Sequence, residues 1–123
     1  MTHRVYLADA MLLERSALSL ILLDLNMEIA GEADNWSTTL TEIPNCRAGL
    51  LVADWGLLPG AASTALDELR GACPNALVIV LLRNSLENRQ QTALAVGADM
   101  FISRGELPER VAEQLRAAAK IRT

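Results

Sequence analysis

The chain alternates between short apolar segments and stretches with helical periodicity. The short apolar segments predict strands, and they cover residues 4–8, 27–33, 49–53, 77–82 and 99–102. The stretches that follow them predict helices over residues 11–25, 36–43, 61–73, 85–96 and 108–120. Five βα units with short connections favour an α/β fold, a doubly wound parallel sheet with helices on both faces.

Proline and glycine mark the expected helix ends. Pro44 is expected to close the second helix, Pro74 follows the third, and Gly97 stops the fourth. Pro108 suits the first turn of the last helix. In the first helix, the periodicity places four apolar residues on one face: Leu13, Ala17, Leu20 and Ile21. The pattern contains no repeat or linker, so we expect a single domain over residues 1–123.

Asp54 follows an apolar segment, residues 49–53, and precedes a loop that contains Pro59 and Gly60. Because polar residues do not alternate with apolar residues along this segment, the strand is predicted to be buried on both faces. A carboxylate at the end of such a strand lies at the carboxyl edge of the sheet, where open α/β folds place ligands and chemistry. Asp54 is therefore the leading candidate for a functional residue.

The composition of the 123-residue chain limits the classes of function. Hydrophobic residues make up 51% of it, enough for one packed core, and the net charge of −4 argues against a nucleic-acid-binding domain. Cys46 and Cys73 lack a metal-binding spacing, which favours a reduced, cytoplasmic protein. The apolar segment over residues 12–25 is too short and too charged to span a membrane, and we identify no export signal.

Five segments form a pattern through their order and spacing. They are residues 4–9 with their terminal acid, residues 28–35, Val52-Ala53-Asp54 followed by Pro59-Gly60, residues 78–81, and residues 97–102. Together they resemble the receiver domain of bacterial two-component response regulators, and the resemblance covers residues 4–118. It implies a flavodoxin-like, five-stranded sheet of order 2-1-3-4-5 and a non-enzymatic role in signal transduction.

Receiver domains are phosphorylated on an aspartate, and the resemblance assigns this role to Asp54. In the family, a Mg²⁺ ion held by the acceptor and by an acidic pair after the first strand neutralises charge on the transferred group. Asp9 matches the first acid of that pair. Asp9 and Asp54 are thus the remaining carboxylate candidates for a metal in this chain.

Three positions depart from the family's site. The second acid of the pair falls on Ala10, which cannot bind a metal, and the Thr or Ser after the fourth strand falls on Leu82, which cannot donate a hydrogen bond. The Lys after the fifth strand falls on Arg104, whose guanidinium keeps the charge but not the compact ammonium. The resemblance therefore implies a degenerate, or pseudo-, receiver in which Mg²⁺ binds weakly or not at all. No other cofactor is expected.

Two further side chains are expected to act at this edge. Arg104 is expected to pair with the Asp54 carboxylate and so to hold one conformation without phosphate. Phe101 falls where the family has an aromatic ring that swings between buried and exposed positions. A static core ring is the alternative interpretation of Phe101.

The main functional prediction is a signalling module that acts by protein contact or self-association. The expected surface comprises the helices predicted over residues 85–96 and 108–120 and the fifth strand, with a sensor kinase as a candidate partner and no contact with nucleic acid or membrane. One alternative is a working phospho-receiver, in which Asp54 controls a transcriptional output domain. A flavodoxin-like FMN carrier is disfavoured, because residues 9–12 lack the Ser, Thr and Gly donors that cradle a phosphate.

Overall fold

The computed structural model describes residues 3–60, 62–82, 92, 97–103 and 107–122. Five strands within these ranges form one sheet: β1 (Arg4–Ala8), β2 (Glu28–Ala33), β3 (Leu50–Asp54), β4 (Leu77–Leu82) and β5 (Met100–Ser103). Neighbouring strands pair in parallel, and the strand order is β2-β1-β3-β4-β5. The predicted fold class and strand order are confirmed.

Four long helices in the described ranges flank the sheet: α1 (Leu12–Asp24), α2 (Trp36–Cys46), α3 (Ala62–Ala72) and α4 (Pro108–Arg122). α2 and α3 pack on one face of the sheet, and α1 and α4 pack on the other. Most ends differ from the predicted ones by one or two residues, as helix and strand boundaries commonly do. The helix predicted over residues 85–96 lies almost wholly outside the described residues and stays a prediction.

The central strand β3 is buried on both faces, as its unbroken apolar run predicts. Leu51 and Ala53 pack toward α2 and α3. Leu50 and Val52 pack toward α1 and α4, because successive side chains of a strand point to opposite faces. Each fully buried leucine contributes about 1.5–3 kcal/mol to stability. These two layers hold β3 in the centre of the sheet and place its last residue, Asp54, at the carboxyl edge.

The second helix does not end before Pro44, and that prediction is wrong: α2 continues through Pro44 to Cys46. A proline near a helix end removes one hydrogen bond of the last turn. Two side chains of β1 hold this turn in place. The Tyr6 hydroxyl donates to Glu42 Oε1 at 2.7 Å, and Arg4 Nε donates to the Cys46 carbonyl at 2.9 Å. These contacts with a distant strand outweigh the local preference of proline.

α1 buries a different face from the one that its periodicity singles out. Leu18 and Leu22 pack against the sheet, whereas Leu13 and Leu20 are exposed to solvent. The sequence of this helix is apolar on nearly every side. Its periodicity therefore does not determine which face is buried. Packing against β1 and α4 determines it.

Candidate functional site

Asp9 and Asp54 lie side by side at the carboxyl edge of the sheet. β1 and β3 are adjacent and parallel, with Ala8 in register with Ala53, and each acid is the next residue along its chain segment. Both acids are almost completely buried, with 1% and 2% of their surface exposed. Two buried carboxylates therefore meet at the edge where open α/β folds bind ligands.

The loop between β1 and α1 holds Asp9 in place. Asp9 Oδ1 accepts a hydrogen bond from the Met11 N–H at 2.9 Å, and the Asp9 N–H donates to the Ala33 carbonyl at 3.0 Å. The Asp9 carbonyl accepts from the Arg15 guanidinium, whose Nε lies 3.3 Å from Glu32 Oε1. One carboxylate oxygen of Asp9 is thus engaged by its own loop, in the manner of an Asx turn.

Asp54 ends β3 and leads into a short 3₁₀ turn (Trp55–Leu57). It is in register with Leu81 of β4. Asp54 Oδ2 lies 3.0 Å from the position that a Cβ atom would take on Gly56. The turn therefore approaches the carboxylate through a residue that has no side chain. Trp55 is half-buried and packs against the cluster under α2 and α3.

The residue at the expected hydroxyl position, Leu82, belongs to the core. It is fully buried among the side chains under α2 and α3. Its partner in register on β5 is Ser103, which is buried as well. Phe101, two residues earlier on the same strand, is half-buried and packs against the same cluster. Whether this ring moves stays a prediction.

Two residues of this edge were not found from the sequence. Ser103 brings a buried hydroxyl beside Leu82, and its only signal is that a polar residue directly follows the last predicted strand. Arg15 contacts the Asp9 carbonyl from α1, and a basic residue in the first turns of a helix carries no local sign of such a contact. Arg104 lies outside the described residues, so its pairing with Asp54 stays a prediction.

The described residues do not make up the carboxylate set that the resemblance implies for Mg²⁺. Asp9 and Asp54 supply two carboxylates, and the exposed Ala10 supplies none. Mg²⁺ prefers oxygen ligands in near-octahedral geometry. Across the residues with described positions, no three His, Cys, Asp or Glu side chains are arranged to hold a metal ion.

The displaced pKa values of described groups belong to the contact between β1 and α2, away from the acidic edge. Burial, reinforced by the hydrogen bond to Glu42, raises the pKa of Tyr6. Burial and the nearby Glu42 carboxylate raise the pKa of the Cys46 thiol. These shifts follow from packing on the last turn of α2 and do not identify a second reactive centre.

No family model matches this sequence, and no curated protein matches it either. In the ranges that the structure describes, no helix has both the length and the apolar character needed to cross a membrane.

Several solved structures resemble the chain. The isolated REC domain of RcsB from Salmonella enterica serovar Typhimurium, in the presence of BeF3⁻, has a TM-score of 0.85 at 18% identity and covers 98% of this chain and 90% of that chain. The CheY-like receiver domain from Methanospirillum hungatei JF-1 has a TM-score of 0.82 at 17% identity, with coverage of 99% and 97%. The response regulator domain of Thermotoga maritima CheB has a TM-score of 0.80 at 20% identity, with coverage of 98% and 95%. At these identities, the likeness shows that the chain has the fold of receiver domains.

Proposed function

We propose that this chain is a receiver-like signalling module that acts through protein contacts and does not use ordinary Mg²⁺-dependent phosphorylation of Asp54. The fold shared with receiver domains supports the signalling role. The observation that carries the proposal is the state of the carboxyl edge, where Ala10 follows Asp9 and Leu82 fills the core. The module itself performs no catalysis.

The acidic edge lacks charge for the phosphorylation chemistry. A carboxylate accepts a phosphoryl group only when the charge on the transferred oxygens is neutralised, and a cation does this in receivers. Ala10 lowers the negative charge available to hold that cation by one unit. Asp9 also uses one oxygen to accept from the Met11 N–H. Both features weaken a metal site beside Asp54.

Leu82 removes the second part of the chemistry. Its side chain is fully buried and offers no hydrogen-bond donor. Removing a fully buried leucine side chain from the core costs about 2–5 kcal/mol of stability. The Leu82 side chain therefore stays in the core. In ordinary receivers, a hydroxyl at this position moves to report phosphorylation, and here β4 has no such group.

The outward face of α4 supports the protein-contact part of the proposal. Its exposed side chains are mainly charged and of both signs: Glu109, Arg110, Glu113, Arg116 and Lys120. A mixed charged surface steers a protein partner and selects its orientation. We propose that α4, β5 and the helix predicted over residues 85–96 contact such a partner, with a sensor kinase as one candidate.

The free thiols of Cys46 and Cys73 support a cytoplasmic setting.

The experiment is phosphorylation by acetyl phosphate with Mg²⁺, followed by intact mass and a phosphate-affinity gel. The wild-type chain should remain unlabelled. A restored variant that combines Ala10→Asp, Leu82→Thr and Arg104→Lys should be labelled, and adding Asp54→Ala to it should abolish the label. Thermal melting checks that each variant is folded. Labelling of the wild-type chain at Asp54 would sink the proposal, and a folded but unlabelled restored variant would show that these positions are not the missing parts.

The second candidate function is a working phospho-receiver that controls a transcriptional output domain. The position of Asp54 favours it, because this acid ends the central strand beside Asp9, as the acceptor of a receiver would. The same labelling experiment separates the two functions. Under this alternative, the wild-type chain takes up phosphate and Asp54→Ala does not.

A further inference from the structure

The exposed face of α1 is unusually apolar. Five of its exposed residues are apolar and define what we call the α1 stripe: Leu12, Leu13, Ala17, Leu20 and Leu23. Its leucines are 64%, 82%, 67% and 57% exposed, in chain order. Single apolar residues are common on protein surfaces, but a contiguous patch of this kind marks an interaction site.

We propose that the α1 stripe is a self-association surface, on which α1 of a second copy of this chain packs in the antiparallel direction. The inference goes beyond the proposed function and does not depend on whether Asp54 is phosphorylated. It also uses a different surface from that of α4, whose exposed side chains are mainly charged.

The order of large and small residues along the helix fits a second copy. Ser16 and Ala17 lie near the middle, with Leu13 on one side and Leu20 and Leu23 on the other. A symmetric pair of copies brings the same surface together from both sides. In the antiparallel arrangement, Leu20 of each copy packs over Ser16 and Ala17 of the other, and Leu13 packs beside Leu23. A parallel arrangement would stack each leucine on its own equivalent and leave a gap at the small residues.

The charges around the stripe also favour a second copy over an anionic membrane surface. No charged residue lies between Arg15 and Asp24, so the centre of the pairing, residues 16–23, buries no unpaired charge, which would be costly. Glu14 is half-buried and lines, together with Ala17, a groove of about 230 Å³ between α1 and α4. The chain carries a net charge of −4, and an anionic membrane surface attracts basic, not acidic, segments.

The size of the stripe predicts a weak association. α1 has 13 residues and is about 20 Å long at the rise of an α-helix. One such helix pair buries less than the roughly 800 Å² per partner that is typical of a stable interface. We therefore expect a dimer that forms in the micromolar range and dissociates on dilution.

Sedimentation of the whole chain from about 1 μM to about 1 mM, a range that spans micromolar affinity, tests the inference. The wild-type chain should shift from monomer to dimer, and Leu20→Glu should remain a monomer. The matched control is Leu107→Glu, because Leu107 is 68% exposed, almost as Leu20 is, but precedes α4 and lies outside the stripe. It should behave as the wild type. A wild-type chain that stays monomeric, or equal association of the two variants, would overturn the proposal.

Disulfide trapping tests the antiparallel direction in a background with Cys46→Ser and Cys73→Ser. With the pair centred near residue 18, two copies of position 17 are offset by about 3 Å along the helix axis, and two copies of position 13 by about 15 Å. A disulfide requires Cα atoms within about 7 Å. Mild oxidation should therefore link Ala17→Cys into dimers and leave Leu13→Cys several-fold less linked. Equal yields at the two positions would overturn the antiparallel arrangement.

Discussion

Asp54 Oδ2 lies 3.0 Å from the position that a Cβ atom would occupy on Gly56. The 3₁₀ turn that follows Asp54 therefore fits closely against the buried carboxylate, and only Trp55 separates Asp54 from Gly56 in sequence. A methyl group at position 56 would have to displace the carboxylate, and the buried surroundings of Asp54 limit how far it can move.

This contact predicts that Gly56→Ala destabilises the fold by about 1 kcal/mol, at the low end of the cost of overpacking. The control is Gly60→Ala in the same loop, where an added Cβ meets nothing within 4 Å. Urea unfolding of both variants measures the difference. In an Asp54→Ala background, the cost of Gly56→Ala should vanish, because the clashing oxygen is gone. If Gly56→Ala costs as much stability in that background as in the wild-type chain, the added methyl group clashes with a group other than the Asp54 carboxylate.

Gly31 makes a second close approach, on edge strand β2. An added Cβ would lie 2.8 Å from Tyr6 Cε2 and 3.4 Å from Cys46 Sγ, and the Tyr6 ring is fully buried. We expect Gly31→Ala to lower the free energy of unfolding by about 1–3 kcal/mol. Gly49→Ala is the matched control, since its added Cβ meets nothing within 4 Å. Equal melting temperatures for the two variants would contradict the prediction.

The Tyr6 hydroxyl predicts a loss of stability in alkali. Burial and the hydrogen bond to Glu42 raise its folded-state pKa above the ordinary value of 10.0. Between the unfolded-state and the folded-state pKa, the folded state keeps the hydroxyl proton and the unfolded state releases it. The contribution of the Tyr6 hydroxyl to stability is therefore complete below pH 10 and declines as the pH rises further. Near neutral pH, Tyr6→Phe should cost about 1 kcal/mol, because Glu42 loses its donor. Above about pH 10, that difference should shrink in urea unfolding. A constant difference would exclude the linkage.

The buried and exposed sides of α1 should respond differently to substitution of a leucine by alanine. Leu22 is fully buried, and Leu22→Ala should lower the free energy of unfolding by about 2–5 kcal/mol. Leu20 is mostly exposed, and Leu20→Ala should change it by less than about 0.5 kcal/mol in dilute solution. Urea unfolding at low protein concentration measures both. A large effect of Leu20→Ala under these conditions would show that this side of α1 packs within the monomer.

Ala10 predicts the behaviour of the chain toward Mg²⁺. Titration calorimetry of the wild-type chain should show no binding below millimolar Mg²⁺, because one carboxylate of the acidic set is missing. Ala10→Asp should raise the affinity by restoring an oxygen ligand, and adding Asp54→Ala should reverse the gain. Tight binding by the wild-type chain would mean that other ligands replace the missing acid.

The sequence by itself determined the architecture of this protein. Unbroken apolar runs such as residues 77–82 can be stable only when both faces are covered, so they require a central sheet between two helical layers. Asp54 directly follows such a run, and this position alone places it at the carboxyl edge. The resemblance to receiver domains supplied the strand order, which the sheet confirms. These features depend on the local pattern and on burial.

The tertiary structure alone decided the features that depend on contacts between distant segments. α1 is apolar on nearly every side, so only its packing against the sheet decides that Leu22 is buried and Leu20 is exposed. α2 passes through Pro44 because Tyr6 and Arg4, far away in the chain, hold its last turn. The side-by-side position of Leu82 and Ser103 follows from the register of two strands. Local periodicity cannot predict these features, because the contact energies that decide them arise only when segments from different parts of the chain meet.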